Sequence, residues 1–245
     1  MENEDRQVGR VLSRRETLKL LGIASAAMLV GCSDKQSSST PATNPDTPCI
    51  VRPEQTEGPY FVDDKLNRSD IRLDPADGSL KEGVPLQLVL RVSQISRDGC
   101  TPLTGVVVDV WHCDALGVYS DATDPNFNTI GKKFLRGYRV TDAKGTAQFK
   151  TIYPGWYQGR TVHIHFKIRT APMSGRSYEF TSQLYFDDSV TDRVHAQEPY
   201  AIKGQRPLRN NQDGIFRDGG DQLMLLLIED GQGYAANFDI GLQMA

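Results

Sequence analysis

The sequence predicts an all-β protein, an antiparallel β-sandwich with long functional loops. Beyond about residue 49 the chain consists of short segments with strand composition, and clusters of Gly, Pro, Asn and Asp separate them. Segments with a helical period are few, and they do not intervene between the strands. Strands that follow one another without intervening helices favour an antiparallel sandwich or a barrel.

Eight segments carry the strand prediction: residues 86–95, 106–112, 134–141, 146–152, 161–169, 181–186, 222–228 and 235–241. Residues 141–146, Thr-Asp-Ala-Lys-Gly-Thr, predict a tight turn that joins two of these strands into a hairpin. The unbroken apolar run 224–228 indicates a strand that is buried on both faces. Residues 189–220 carry many charges, two prolines and no clear period, so they predict a long surface loop.

The first 32 residues predict an export signal rather than part of the fold. A twin-arginine pattern at residues 13–19 precedes an apolar run of eleven residues, 20–30, which is shorter than the roughly 20 residues that cross a bilayer. The run ends in Leu-Val-Gly-Cys, which resembles the lipobox of bacterial lipoproteins. We therefore expect residues 1–32 to be a twin-arginine lipoprotein signal, with the protein held at the cell envelope by a lipid on Cys32. The alternative is an ordinary cleaved signal with an incidental cysteine.

The composition of the remaining chain predicts one tethered domain. Residues 33–48 contain no aliphatic side chain larger than Ala, so we expect a flexible linker there. Residues 49–245 are enough for one sizeable core. The whole chain has a net charge of −3 without a basic stripe, which argues against nucleic acid as a partner. With Cys32 assigned to the lipid, one disulfide is expected among Cys49, Cys100 and Cys113, and the pairing stays open.

Two of the four histidines lie one residue apart in the segment Val-His-Ile-His-Phe-Lys-Ile, residues 162–168. Because side chains alternate along a strand, the four apolar residues fall on one face, and His163, His165 and Lys167 fall on the other. The two histidine Cα atoms are then roughly 7 Å apart, so both imidazoles can reach one ion. The alternative is an amphipathic strand that exposes its histidines to solvent.

Three neighbouring residues favour the metal-binding interpretation. Tyr157 lies in a Pro-Gly loop just before the strand, and Arg160 places a cation close to the same point. Tyr119 follows the predicted strand 106–112. The other two histidines are not needed: we expect His112 to be structural and His195 to lie in the surface loop.

Four segments resemble the intradiol ring-cleaving dioxygenases. They are TEGPYF at 56–61, VDVWHCDALGVYSD at 108–121, FLRGYRVTDAKGTAQFKTIYPGWYQGRTVHIHFKI at 134–168 and SQLYF at 182–186. The resemblance extends over roughly residues 50 to 240, and the spacing Tyr…Tyr-x5-His-x-His is its most specific feature. It implies a β-sandwich-like core, in agreement with the strand prediction.

The resemblance also implies roles for individual residues. The ferric ligands would be Tyr119, Tyr157, His163 and His165. The catalytic residues would be Arg160, Tyr157 and Gln183, of which Arg160 and Gln183 flank bound substrate. The segment Gly58-Pro59-Tyr60 would border the substrate pocket. The residue types suit non-haem Fe(III), because a trivalent cation deprotonates a phenol and phenolate oxygens favour hard metals.

The implied reaction uses O2 to cleave a catechol-type ring between its two hydroxylated carbons, and it gives a cis,cis-muconate-type product. Tyr157 would be a displaceable ligand that accepts a substrate proton, and Arg160 would stabilise anionic intermediates. The partner would be a small aromatic diol. Catechol, hydroxyquinol, protocatechuate and lignin-derived aromatics all stay open, as do the oligomeric state and the choice between inner and outer membrane.

Two other function classes compete with the enzyme. The first is a non-catalytic exported β-sandwich that binds copper or zinc through His163 and His165, with the tyrosines as packing residues. The identity of the bound metal discriminates it, because copper does not need Tyr119 and Tyr157. The second is an adhesion module in which the motif has decayed.

Overall fold

The computed structural model describes residues 50–170 and 177–244, and the secondary structure of these ranges is dominated by strands. The strands are β1 Pro85–Ser96, β2 Gly99–Pro102, β3 Val107–Trp111, β4 Thr123–Asp124, β5 Phe127–Asn128, β6 Arg136–Val140, β7 Thr146–Ile152, β8 His163–Arg169, β9 Glu179–Tyr185, β10 Leu227–Asp230 and β11 Gly233–Leu242. The helix α1 is Asp188–His195, and 3-10 helices lie at Tyr200–Lys203, Asn210–Gln212 and Gly220–Leu223. The all-β prediction is confirmed.

The strands form two main sheets. One has the order β10-β11-β1-β2, with β7 also paired to β1, and the other is antiparallel with the order β6-β3-β8-β9. The pairing of β1 with β11 is parallel, from Leu86 opposite Tyr234 to Gln94 opposite Leu242, so the first sheet is mixed rather than purely antiparallel. A parallel pair needs a long connection, and here most of the domain lies between the two strands.

The hydrophobic core lies between the sheets. In β1, alternate residues from Leu86 to Val92 are at most 1% exposed. In β8, Ile164, Phe166 and Ile168 are fully buried, and the Phe166 ring lies 5.8 Å from that of Phe238 in the other sheet. Burying each such side chain contributes on the order of 2 kcal/mol. The core therefore fixes β8 by one face and leaves its other face for the site.

The predicted hairpin at residues 141–146 is wrong. The tight turn forms, because the Asp142 carbonyl accepts the Gly145 amide and the Asp142 carboxylate accepts the amides of Lys144 and Thr146. However, it joins β6 to β7, which belong to different sheets. Turn residues define a local reversal of the chain, and they do not define which strands pair.

The prediction of a doubly buried strand at residues 224–228 is also wrong. Leu223 and Leu225 are buried, whereas Leu226 and Ile228 are 79% and 60% exposed. The strand here is β10, which begins only at Leu227 and is the edge of its sheet. Along residues 223–228 the more buried and more exposed side chains alternate, as they do in an extended chain with one face on the core.

Residues 189–220 are not a structureless surface loop. They include most of α1, whose first amides are capped by the Asp187 carboxylate, and the segment then returns to bury Asn210 and Asp213. His195 is 8% exposed, with its Nε2 3.0 Å from the carbonyl oxygen of Pro154, so its predicted surface position is wrong. A helix of eight residues is too short to show a clear period in sequence.

Several predictions fall on residues 1–49, which lie outside the described residues: the twin-arginine signal, the lipidated Cys32, the linker and Cys49. Cys100 is disulfide-bonded, and Cys113 is a buried free thiol. Within residues 50–170 and 177–244, no helix has the length and apolar character needed to cross a membrane.

Candidate metal centre and active site

The strand β8 brings its two histidines together beside Tyr119. The Nε2 atoms of His163 and His165 lie 2.9 Å apart, and the Tyr119 hydroxyl lies 3.3 Å from Nε2 of His163. The ring of His165 stacks on that of Trp111, its cross-strand partner in β3, with ring centroids 5.0 Å apart and an interplanar angle of 5°. Three of the four residues predicted as metal ligands thus meet at one point.

Hydrogen bonding and burial prepare both imidazoles to act as ligands. His163 places Nδ1 2.7 Å from the Thr161 carbonyl oxygen, so Nδ1 carries the proton and Nε2 presents its lone pair to Tyr119 and His165. Burial, with Arg160 nearby, lowers the pKa of His163 to about 3. Burial and the neighbouring His163 lower the pKa of His165 well below its usual range. Both rings are therefore neutral at pH 7, as metal ligation requires.

Tyr119 is held rigidly. It is 1% exposed, and its carbonyl oxygen accepts a hydrogen bond of 2.6 Å from the Thr129 hydroxyl. Asp114 braces the preceding loop, since its carboxylate accepts the amides of Leu116 and Val118 at 3.0 Å each. Burial raises the pKa of the Tyr119 phenol well above its usual value, so deprotonation requires a nearby cation.

Tyr157 is close to this group, but its hydroxyl has other partners. Its ring lies 5.8 Å from the Tyr119 ring at 80°. The hydroxyl donates a hydrogen bond of 2.8 Å to Asp124 and lies 2.6 Å from the Tyr60 hydroxyl. The hydrogen bond from Tyr60, together with the Asn126 amide and Tyr157, lowers the pKa of Asp124 to about 2. We call the pair Tyr60 and Asp124 the phenol seat of Tyr157.

The predicted pocket segment Gly58-Pro59-Tyr60 lies over the histidine pair. A Cβ on Gly58 would be 3.3 Å from Cε1 of His165, and Gly58 has a φ of +70°, so a larger residue is disfavoured on both counts. Pro59 and Tyr60 form a turn. The ring of Tyr60 stacks on that of Tyr119 at 4.4 Å. The segment therefore covers the site and supplies half of the phenol seat.

Arg136 ties the two stacked tyrosines to β6, and the sequence did not single it out. It is 3% exposed. Its Nε donates to the Ser120 hydroxyl at 2.7 Å, its Nη1 to the Tyr60 carbonyl at 3.2 Å, and its Nη2 to the Ser120 carbonyl. One buried guanidinium thus fixes the backbone at Tyr60 and directly after Tyr119.

Arg160 and Gln183 are hydrogen-bonded to each other and lie beside the histidine pair. Gln183 lies opposite His165 on β9, and its Oε1 accepts a hydrogen bond of 2.7 Å from Nη2 of Arg160. Its Nε2 donates to the Thr56 carbonyl at 2.8 Å. The Nε of Arg160 donates to Asp213 at 2.8 Å. Asp124, in the two-residue strand β4, and Asp213 were missed, because each lies far along the chain from its partner, 33 residues from Tyr157 and 53 from Arg160.

The donor set fits a ferric ion. Two neutral imidazoles present Nε2 atoms to each other, and Nδ1 of His165 is buried without a hydrogen-bond partner. Among the described residues, no three His, Cys, Asp or Glu side chains are grouped to hold a metal. A metal bound here therefore needs phenol oxygen, which is a hard donor.

Comparison with known proteins identifies the family of the chain. A family model described as Dioxygenase matches residues 56–206, more than half of the chain. The chain belongs to the intradiol ring-cleavage dioxygenase family. Two curated relatives of this family show the extent of the match. The protocatechuate 3,4-dioxygenase beta chain of Burkholderia cepacia is 28% identical over 153 residues, which are 59% of this chain and 63% of that protein. Catechol 1,2-dioxygenase 2 of Acinetobacter lwoffii is 32% identical over 141 residues, 47% of this chain and 46% of that protein.

Solved structures of dioxygenases match the domain more completely. An intradiol ring-cleavage dioxygenase from Tetranychus urticae has a TM-score of 0.67 at 28% identity, and the match covers 80% of this chain and 95% of that one. The dioxygenase domain of a dioxygenase carbohydrate-binding fusion from Streptomyces sp. SirexAA-E has a TM-score of 0.55 at 32% identity, with 80% and 100% covered. The chain therefore matches less than two thirds of the curated relatives named above but nearly all of these two structures.

Proposed function

We propose that this protein is a non-haem Fe(III) dioxygenase that cleaves a catechol-type ring between its two hydroxylated carbons with O2. The product would be a cis,cis-muconate-type dicarboxylate. The observation that carries the proposal is the convergence of Tyr119, His163 and His165, with Tyr157 beside them. Family membership supports it, as do the named activities of the catechol and protocatechuate relatives.

Four side chains would hold the ferric ion: His163 and His165 through Nε2, and Tyr119 and Tyr157 through their phenol oxygens. When bound, the ion would draw electron density from a chelated catechol dianion and make a ring carbon reactive toward O2. Two phenolates would lower the net charge of the site, which stabilises the trivalent over the divalent ion. The covering segment Gly58-Pro59-Tyr60 would limit access of water to the reacting ring.

Tyr157 would act as a base that moves. A catechol must lose two protons to chelate a cation as a dianion, so the site needs proton acceptors. A Tyr157 phenolate that takes one of these protons becomes a phenol, and the phenol seat accepts it through Asp124 and Tyr60. Asp124 stays ionised above about pH 2, so it is available as an acceptor at neutral pH. The contacts of Tyr157 support this division of labour between the two tyrosines.

Arg160 would stabilise negative charge on the substrate. It is tied to Gln183, which pairs with His165, so its guanidinium lies next to the histidine pair. A fixed cation in a dry pocket stabilises developing charge without reorganisation at the moment of reaction. Gln183 would hold the guanidinium and border the substrate.

We also propose that the protein works in the cell envelope, anchored by a lipid on Cys32. The twin-arginine pattern and the lipobox-like end of the apolar run support this proposal. The disulfide at Cys100 is consistent with an oxidising compartment. Labelling cells with a palmitate analogue, with a Cys32→Ser variant as the control, tests it directly: label that persists in the variant would contradict it.

The test of the enzyme proposal is oxygen consumption by the iron-loaded protein. Catechol, hydroxyquinol and protocatechuate are supplied in turn, and one O2 should be consumed per ring opened. With 18O2, both labelled oxygens should appear in the dicarboxylate product. Stoichiometric iron without oxygen uptake on any catechol-type substrate would contradict the proposal. Uptake of copper or zinc in preference to iron would favour the non-catalytic metal-binding alternative.

A further inference from the structure

We infer that Asp213 is a positioning residue, which holds the Arg160 guanidinium in the orientation that catalysis uses. The inference rests on the proposed function and extends the site to a connecting segment, residues 197–216, that lies outside both sheets. Neither the strand pattern nor the His-x-His spacing indicates this residue. Its contacts assign the role.

One carboxylate oxygen of Asp213 holds two consecutive residues of the loop before β8. Oδ2 accepts a hydrogen bond of 2.8 Å from Nε of Arg160 and one of 2.7 Å from the Thr161 amide. The Asp213 side chain is 1% exposed, and that of Arg160 is 17% exposed. This is a nearly buried ion pair with a backbone donor added, and such charge-assisted hydrogen bonds are short and strong.

The other carboxylate oxygen anchors Asp213 to its own segment. Oδ1 accepts the Ile215 amide at 2.8 Å and the Phe216 amide at 3.1 Å. Burial on its own would raise the pKa of Asp213, but the Thr161 amide and the charge of Arg160 hold the pKa below its usual value. The Asp213 carboxylate is therefore an anion, and hydrogen bonds hold both of its oxygens in place.

A second contact joins the same segment to the same loop. The Thr161 hydroxyl donates to Oδ1 of Asn210 at 2.6 Å, and Asn210 donates from Nδ2 to the Phe186 carbonyl at 2.8 Å. The Thr161 carbonyl in turn accepts the Nδ1 proton of His163. The segment is thus anchored to the loop that determines the positions of Arg160 and His163.

Two partners fix the plane of the Arg160 guanidinium. Asp213 takes Nε and Gln183 takes Nη2, so rotation about the end of the side chain breaks at least one hydrogen bond. Without Asp213, the guanidinium keeps its bond to Gln183 but loses the partner of Nε and gains freedom to turn. Misplacement by about 1 Å of a group that stabilises charge can cost on the order of 100-fold in rate.

The variant Asp213→Asn separates the two functions of the carboxylate. The amide oxygen can keep the place of Oδ1 and its bonds to Ile215 and Phe216. The amide nitrogen then faces the N–H groups of Arg160 and Thr161 and cannot accept from them. We expect kcat/KM for catechol to fall about 100-fold, with iron content and the visible tyrosinate band unchanged.

Asp142→Asn is the matched control. Asp142 also accepts two backbone amides through one oxygen, those of Lys144 and Thr146, in the turn between β6 and β7. It is exposed and makes no contact with Arg160. Its variant should keep the kcat/KM of the native protein.

A double-mutant cycle with Arg160→Met distinguishes positioning from general stability. If Asp213 acts only through Arg160, then Asp213→Asn causes no further loss of kcat/KM in the Arg160→Met background. Losses that multiply in the double variant would overturn the inference, and so would a native kcat/KM in Asp213→Asn alone. If the native iron-loaded protein cleaves no catechol-type substrate, the proposed function fails, and the inference fails with it. If the native protein is active and the losses multiply, the inference alone fails.

Discussion

Tyr119 and Tyr157 have the same side chain and the same predicted role, yet their surroundings differ. Tyr119 is 1% exposed, is stacked against Tyr60 and places its hydroxyl 3.3 Å from His163. Tyr157 is only partly buried, and its hydroxyl is hydrogen-bonded to Asp124 and Tyr60. The comparison indicates that the surroundings of each tyrosine, and not the side chain itself, would decide whether it stays on a bound metal or leaves it.

The backbone around each tyrosine accounts for the difference. Tyr119 follows a loop that the Asp114 carboxylate braces through two amides, and its own carbonyl is held by Thr129. Tyr157 lies two residues before Gly159, which has a φ of +81° and open space around its Cα. We therefore expect Tyr119, whose loop is held by hydrogen bonds, to stay on a bound metal. We expect Tyr157 to leave it, because a glycine follows it in the chain and the phenol seat offers its hydroxyl other hydrogen-bond partners.

The largest effect is expected from His163→Ala, which removes one of the two imidazoles that β8 places beside Tyr119. We expect more than about a 100-fold loss of iron affinity and no measurable ring cleavage. His112→Gln is the control, because His112 is buried against Cys113 and Thr151 rather than against the two phenols. Metal analysis of both purified variants is the measurement, and iron retained by His163→Ala would contradict the ligand assignment.

Tyr157→Phe should separate iron binding from substrate binding. We expect iron affinity to fall by about 10-fold at most. The rate of anaerobic catechol binding should fall about 100-fold, because a base that accepts a substrate proton is lost. Stopped-flow absorbance measures the second quantity. Equal loss of iron in Tyr157→Phe and His163→Ala would refute the distinction between a movable and a fixed ligand.

Asp124→Asn weakens the phenol seat and leaves Tyr60 and Tyr157 themselves unchanged. We expect about a 10-fold slower catechol binding at unchanged iron content, since a charge-assisted hydrogen bond is replaced by a neutral one. Asp77→Asn is the control, because Asp77 forms an exposed ion pair with Lys132 instead. Identical binding rates in the native protein and Asp124→Asn would show that the seat has no part in substrate binding.

A further prediction concerns the acid stability of the fold rather than substrate binding at the site. Burial lowers the pKa of His112 to about 4, so between pH 6.5 and 4 the unfolded chain binds more protons than the folded one. Stability should therefore fall as the pH falls through this window, by about 3 kcal/mol for a shift from 6.5 to about 4. Urea unfolding of native protein and His112→Gln at pH 7 and pH 4.5 is the measurement. An equal pH dependence in both would contradict the assignment to His112.

The strand core and the histidine pair could be predicted because their signals are local. The alternation of residues 162–168 sets one face against the other, and it places His163 and His165 side by side. Asp124 and Asp213 could not be found this way, because they meet Tyr157 and Arg160 across 33 and 53 residues. The apolar run at residues 224–228 misled for a related reason: composition does not tell an edge strand from a central one.

The most direct test of the central claim is the visible spectrum of the iron-loaded full-length protein, before and after anaerobic addition of catechol. We predict a broad tyrosinate-to-Fe(III) band that shifts on addition of catechol in the native protein. In Tyr157→Phe we predict a weaker band, from Tyr119 alone, which should shift about 100-fold more slowly after catechol is added. A colourless protein with stoichiometric iron would contradict phenolate ligation. A Tyr157→Phe spectrum identical to that of the native protein, with and without catechol, would show that Tyr157 is not a ligand that leaves.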